Sequence, residues 1–213
     1  MTLSTIDESQ RKAARVVGFS YLFAMATAVF AEFYVRGQLI VPDNAAETAR
    51  NIMAHERLWR LGIASYLLCL LTDVALITAL YVILKQVNQN LALFAAFMRV
   101  IETAIVPIDL FPVGAYGAGI DLSFVFLGVG STVFGYLWFK SKYIPRGLAA
   151  LGVVASFLLA AGSFTTIIFP NPAKIVLLAY TMPLGVFEVA MGFWLLLVGL
   201  RPSGVAAPEK ASA

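Results

Sequence analysis

The sequence predicts an all-α, polytopic membrane protein: a bundle of six transmembrane helices with a short amphipathic helix between the first and second spans. Three observations carry this. Hydrophobic residues make up 61% of the 213, and mean hydropathy is +0.87, well above the apolar share of soluble domains. The charged residues, 13% of the chain, sit almost entirely between apolar runs long enough to cross a bilayer, about 20 residues each. Within the runs apolar residues occur all round rather than at alternate positions, which favours helices over barrel strands.

The spans read as Arg15–Val35, Trp59–Leu84, Leu91–Phe111, Leu122–Phe139, Gly147–Phe169 and Ile175–Leu200. The first could be a cleaved signal peptide, but its apolar stretch is longer than a usual signal core, so it is read as a retained span. Between the first two spans, Pro42-Asp43-Asn44 supplies a turn and a helix cap, and Ala45–Glu56 has helical patterning. Ala45, Ala49, Ile52 and Met53 share one face of it, opposite Glu47, Arg50 and Asn51. Such a helix either lies on the outer membrane surface or caps the bundle. The other connections are short, leaving no room for a separate soluble domain. Residues 1–14 form a cytoplasmic segment, residues 15–200 the membrane domain, and residues 201–213 a small, polar tail expected to be disordered.

Orientation follows from Lys and Arg near the span ends. With the N-terminus inside, the cytoplasmic face holds Arg11, Lys12, Arg15, Lys85, Lys140, Lys142, Arg146, Arg201 and Lys210; the other holds Arg36, Arg50, Arg57, Arg60 and Lys174. Nine against five places both termini in the cytoplasm. Small residues mark the helix-packing faces. They are Ser20, Ala24, Thr27 and Ala31 in the first span, Gly128, Ser131 and Gly135 in the fourth, Gly152, Ser156, Ala160 and Ser163 in the fifth. In the sixth they are Gly185, Gly192 and Gly199, with Glu188 on the same face.

Four charges break the pattern: Asp73, Arg99, Glu102 and Glu188 each lie inside a span. At ~1.5 Å per helical residue the three acids fall near the bilayer midplane, with Arg99 about one turn toward the cytoplasm. An ionisable group there costs at least ~2.5–3.5 kcal/mol, so it is paired, hydrated or functional. Three acids share one guanidinium, so pairing with Arg99 holds one carboxylate charged. At least one of Asp73 and Glu188 is then expected to carry a proton or to bind a proton or cation reversibly. These four are the candidate ligand- and proton-binding residues. Tyr66 and Cys69 lie on the Asp73 face, and Tyr66 is the better donor. Glu32 and Asp109, toward the outer ends of their spans, could line a vestibule. Pro183, one turn and more before Glu188, either shapes the helix or opens space beside the acid.

The chemistry-bearing motifs of soluble enzymes do not occur. There is one His, His55, and one Cys, Cys69, so no thiolate or paired-histidine metal site can be built. No nucleophile elbow, phosphate loop or dinucleotide fingerprint is present; no cofactor is expected. The net charge of +3 reflects membrane topology, and no nucleic-acid surface is available. The expected partners are the lipid bilayer and a small-molecule ligand. The basic, aromatic segment Lys140–Arg146 fits either anionic headgroups or plain topological anchoring.

Several motifs carry a family likeness. Arg15-x-x-Gly18-x-x-Tyr21-Leu22, Ala79-Leu80-Tyr81 with Lys85 and Val87-Asn88, and Arg99-x-x-Glu102 occur in the first half. Gly135-Tyr136-Leu137, Tyr143-Ile144-Pro145-Arg146-x-Leu148 and Glu188-x-x-x-Gly192-Phe193-Trp194-Leu195-Leu196 occur in the second. Together these resemble the bacterial integral-membrane family known as domain of unknown function DUF4386, over roughly residues 15 to 200. The segment Pro107–Asp121 is shorter than the resemblance implies. The resemblance implies a multi-pass protein of the bacterial cytoplasmic (inner) membrane and supplies no activity. The residues themselves support a carrier or binding protein for a small molecule that uses the midplane cluster, with proton linkage and a transporter role as expectations. The alternatives are an intramembrane enzyme with carboxylate acid/base chemistry on a lipidic substrate, and a structural or assembly subunit whose charges lock its helices.

Overall fold

The computed structural model describes residues 6–42, 44–110, 119–169 and 174–202, with side chains except at 108–110, 119–121 and 174. It is all-helical among these residues: α1 (Glu8–Val29), a π-helical segment (Phe30–Arg36), α2 (Gly37–Leu39), α3 (Ala45–Ala54), α4 (Glu56–Leu84), α5 (Gln89–Leu110), α6 (Gly119–Ser141), α7 (Arg146–Ile168) and α8 (Lys174–Leu197). Six helices are long and apolar enough to cross a membrane. The chain is a multi-pass membrane protein.

Each long helix packs on its neighbours in sequence, and α8 returns to α1, closing a ring of α1, α4, α5, α6, α7 and α8. Small residues set the closeness. A Cβ on Gly128 would sit 2.5 Å from the Ala160 backbone nitrogen, so α6 and α7 touch through backbone. Gly18 and Gly192 face one another where α1 crosses α8. The expected glycine stripe on α8 is realised at Gly192 only. Gly185 has ordinary room, and Gly199 lies past the helix end in open space at φ +79°. Large apolar side chains such as Phe19, Leu71, Phe97, Phe157 and Phe193 point outward, where lipid replaces water and their exposure is favourable.

The end that carries the described termini is tied together by side chains. Asp7 caps α1, accepting from the Gln10 backbone N–H at 2.7 Å, which begins the helix at Glu8, earlier than Arg15. The Gln10 amide, buried, donates to the Ile83 carbonyl and to the Tyr143 hydroxyl at 3.4 Å each. The Arg201 N–H donates to the Tyr143 carbonyl at 2.8 Å, and the Arg201 guanidinium lies 4.7 Å from the Trp194 ring centre. Tyr143 and Ile144 are themselves core residues. The Lys140–Arg146 segment is therefore a structural corner as well as a basic surface. Of the tail, Arg201 and Pro202 are described, and the expectation for the remainder lies outside the described residues.

At the opposite end α3 follows the sequence expectation closely. The Asn44 side chain accepts from the Glu47 N–H at 3.0 Å and donates to its carboxylate at 2.9 Å, a reciprocal cap. Thr48 and Asn51 fasten the helix to Val41 and Leu39, and none of its residues is buried.

Gly128→Ala is expected to destabilise the bundle by ~1–3 kcal/mol, since the contacted atoms are backbone and cannot turn aside. Gly147→Ala, which meets nothing within 4 Å, should leave thermal stability in detergent unchanged. Equal melting temperatures for the two variants would contradict the α6–α7 contact.

Candidate functional site

The four interior charges come from three helices and share the inside of the ring. Arg99, on α5, is 4% exposed. Its Nη2 lies 3.6 Å from Asp73 Oδ1 on α4, and its Nε lies 3.4 Å from Glu102 Oε2, one turn along α5. Gly130 allows this approach, because a Cβ there would meet the Ala95 carbonyl and the Arg99 stem at 3.0–3.1 Å. The guanidinium then reaches α6, where Nη1 donates to Ser131 Oγ at 3.2 Å. Thr103 donates to the Arg99 carbonyl at 2.9 Å and lies 3.4 Å from Glu102 Oε2.

The two ion-pair distances exceed the ~2.7–2.9 Å of tight charge-assisted bonds. Arg99 Nε makes no hydrogen bond. One guanidinium is thus spread over two carboxylates rather than clamped on either. Glu188, on α8, is partly buried and interacts electrostatically with Arg99, Asp73 and Glu102. Among the described residues it has neither hydrogen bond nor ion pair. Asp73, Arg99 and Glu102 are brought together; Glu188 interacts with them electrostatically without direct contact.

Two participants escape a reading of sequence alone. Ser131 reads as a packing residue in a small-residue stripe, yet it is the hydrogen-bond acceptor for Arg99. Tyr21 on α1 is buried, edge-on to Phe187 with ring centres 6.4 Å apart, and it feels Glu188, Arg99 and Asp73. The signal for Tyr21 is its place one turn past Gly18, on the face that α1 turns to α8.

Tyr66 is where expectation and structure part. Its hydroxyl donates to Glu32 Oε2 at 2.5 Å and not to Asp73, which lies two turns deeper on the same helix. Glu32 belongs to the π-helical segment, and Val35 of that segment packs on Gly62 of α4. The same Glu32 oxygen lies 2.9 Å from Arg36 Nε. Glu32, Arg36 and Tyr66 therefore form a second cluster at the α3 end. The Asp109 side chain lies outside the described residues. No group of three or more His, Cys, Asp and Glu is placed to hold a metal ion among the described residues.

The sequence matches the family described as domain of unknown function DUF4386 over residues 16–116 and 110–199. The chain belongs to this family. The two matched segments meet within the α5–α6 connection. An uncharacterized protein of Archaeoglobus fulgidus is 28% identical over 151 residues, covering 68% of this chain and 87% of that protein. No solved structure matches.

Arg99→Ala leaves acids buried without a cation, and breaking a buried pair in this way costs ~3–5 kcal/mol. Arg99→Ala with Glu102→Ala should regain much of that loss in thermal melts. A double variant that melts below Arg99→Ala would show that the two residues do not stabilise one another.

Proposed function

We propose that this membrane protein binds or carries a small molecule in a proton-linked manner, with Asp73, Arg99, Glu102 and Glu188 as the binding cluster. One observation supports this above the rest: three carboxylates surround one guanidinium, and the third, Glu188, has no partner among the described residues. A purely structural lock needs balanced charge. Removing a lone carboxylate from water is costly in its ionised form and mild in its protonated form, so Glu188 takes up a proton, or gives it up when a cationic group of a ligand arrives. Tyr21 lies within electrostatic reach of it, and Ser131 accepts from Arg99. The proposed setting is the bacterial cytoplasmic membrane with both termini in the cytoplasm, in keeping with the excess of basic residues that the sequence assigns to that side.

Infrared difference spectra recorded between pH 5 and pH 9 should show a protonated-carboxyl band that Glu188→Gln abolishes. A band unchanged in both Glu188→Gln and Asp73→Asn, or no band at all, would favour the structural-lock reading.

Reporters placed after Ala213 and near Gln89 should both register as cytoplasmic. An external signal from either would break the proposed orientation.

A further inference from the structure

We propose that the groove between α3 and the first turns of α4 binds one phospholipid with an amine-bearing, zwitterionic headgroup. Its acyl chain lies against Ile52, Met53, Trp59 and Ile63, and its headgroup meets the Glu56–Arg60 pair. The site is separate from the interior charges and does not depend on the proton-linked reading.

The groove is open, with a volume of about 570 Å³, and is lined by Ile52 and Met53 of α3 and by Glu56, Trp59, Arg60 and Ile63 of α4. That volume falls in the range of small-molecule sites. Backbone geometry sets its walls. His55, between the two helices, lies at φ −125° and ψ 43°, so α3 and α4 do not run on as one rod. Thr48 and Asn51 fasten α3 to Val41 and Leu39. No residue of α3 is buried, and Met53 is 73% exposed. The apolar face of α3 therefore ends on the groove and leaves it uncovered by the protein.

Position indicates what covers it. The groove lies at the first two turns of α4, a helix long and apolar enough to span the membrane. Glu56 and Arg60 are exposed there, while Leu61, Leu67, Leu68 and Leu71 carry the outward surface of the same helix on into apolar territory. This is the level of the lipid headgroups, where tryptophan is favoured. Apolar walls next to a charged rim match the two parts of a phospholipid.

The rim narrows the headgroup. Arg60 donates through both Nε and Nη2 to Glu56 Oε1, at 3.0 and 2.6 Å, so the pair does not use Oε2 or Nη1. Arg57, next in sequence to Glu56, does not line the groove. An exposed pair of this kind is weak and is readily exchanged for other partners. A phosphate accepts from Arg60, and a primary ammonium donates to Glu56. A purely anionic headgroup would set its charge beside the Glu56 carboxylate, and a quaternary ammonium has no N–H to donate to it.

The test is to titrate the purified protein in detergent with phosphatidylethanolamine brominated on its acyl chains while following tryptophan fluorescence. Trp138 is in the core and Trp194 is at the terminal end against Arg201, so quenching lost in Trp59→Phe reports the groove. Quenching should saturate. Arg60→Ala should weaken binding by roughly tenfold, the scale of one charge-assisted hydrogen bond, and Met53→Glu should weaken it too; both residues are exposed, so both variants should fold. Lys140→Ala, which removes a cation from the opposite end, should leave binding unchanged. Quenching that rises without saturation, or that Arg60→Ala and Met53→Glu leave unaltered, shows lipid solvating the surface at large and overturns the site. Brominated phosphatidylglycerol or phosphatidylcholine binding as tightly as phosphatidylethanolamine overturns the proposed headgroup.

Discussion

Arg99 carries a charge that cannot be discharged, near the middle of a bundle whose outer surface faces lipid. Its guanidinium holds the charge permanently, so the protein must supply the counter-charge and the hydrogen-bond acceptors. Those come from α4 through Asp73, from its own helix through Glu102, and from α6 through Ser131. The requirement fixes which helices lie beside α5. It also explains Gly130, since any side chain there would hold the arginine stem away from α6. Attraction in a medium of low dielectric is strong, but it is shared here, and both pairs are correspondingly long. The arrangement therefore leaves negative charge over rather than neutralising it. Surplus charge in an apolar interior is unfavourable unless a mobile partner, a proton or a ligand, completes it.

The two ends of the bundle are built unequally. At the terminal end, Gln10 ties α1 to α4 and to the α6–α7 corner, and Arg201 ties the end of α8 to the same corner. Four segments are held there by buried polar contacts. At the α3 end the π-helical segment interrupts regular α-helix, α3 has no buried residue, and Glu32 is open to the surroundings. Local opening is easiest where buried contacts are fewest. Among the described residues the α3 end is thus the less firmly tied of the two.

The six spans were legible because bilayer thickness imposes a length that apolar runs reveal directly: α4, α6 and α7 end within a few residues of the boundaries the sequence implies. The α3 cap was legible because Asn44 and Glu47 have the spacing the cap requires. The interior charges were legible because a charged residue in an apolar run has few alternatives to pointing inward. Other features were not. A π-helical turn depends on one extra residue being accommodated against a neighbour, here Val35 on Gly62, and no local pattern announces it. Helical periodicity places Tyr66 on the Asp73 face as a donor but cannot show that its partner is Glu32. Ser131 reads as a spacer because its partner is on another helix. Gly185 and Gly199 share a seven-residue repeat with Gly192, but only Gly192 meets the α1 backbone closely; Gly185 has Met25 of α1 at ordinary distance.

The motifs that mark the family divide by physical role. Tyr143 and Ile144 are buried at the corner where α6 turns into α7, and Tyr143 accepts from both Gln10 and Arg201. That segment holds the start of α1 through Gln10 and the residues after α8 through Arg201. Arg99-x-x-Glu102 and Glu188 face the interior, and Gly192, in the same motif as Glu188, sets the distance between α8 and α1. A protein could keep the first group and its apolar spans, match the family, and still differ at the charges that would bind a ligand. Activity is therefore better inferred from Arg99, its two partners and the unpaired Glu188 than from membership itself. Those are the residues whose placement a bilayer would not tolerate without a compensating interaction.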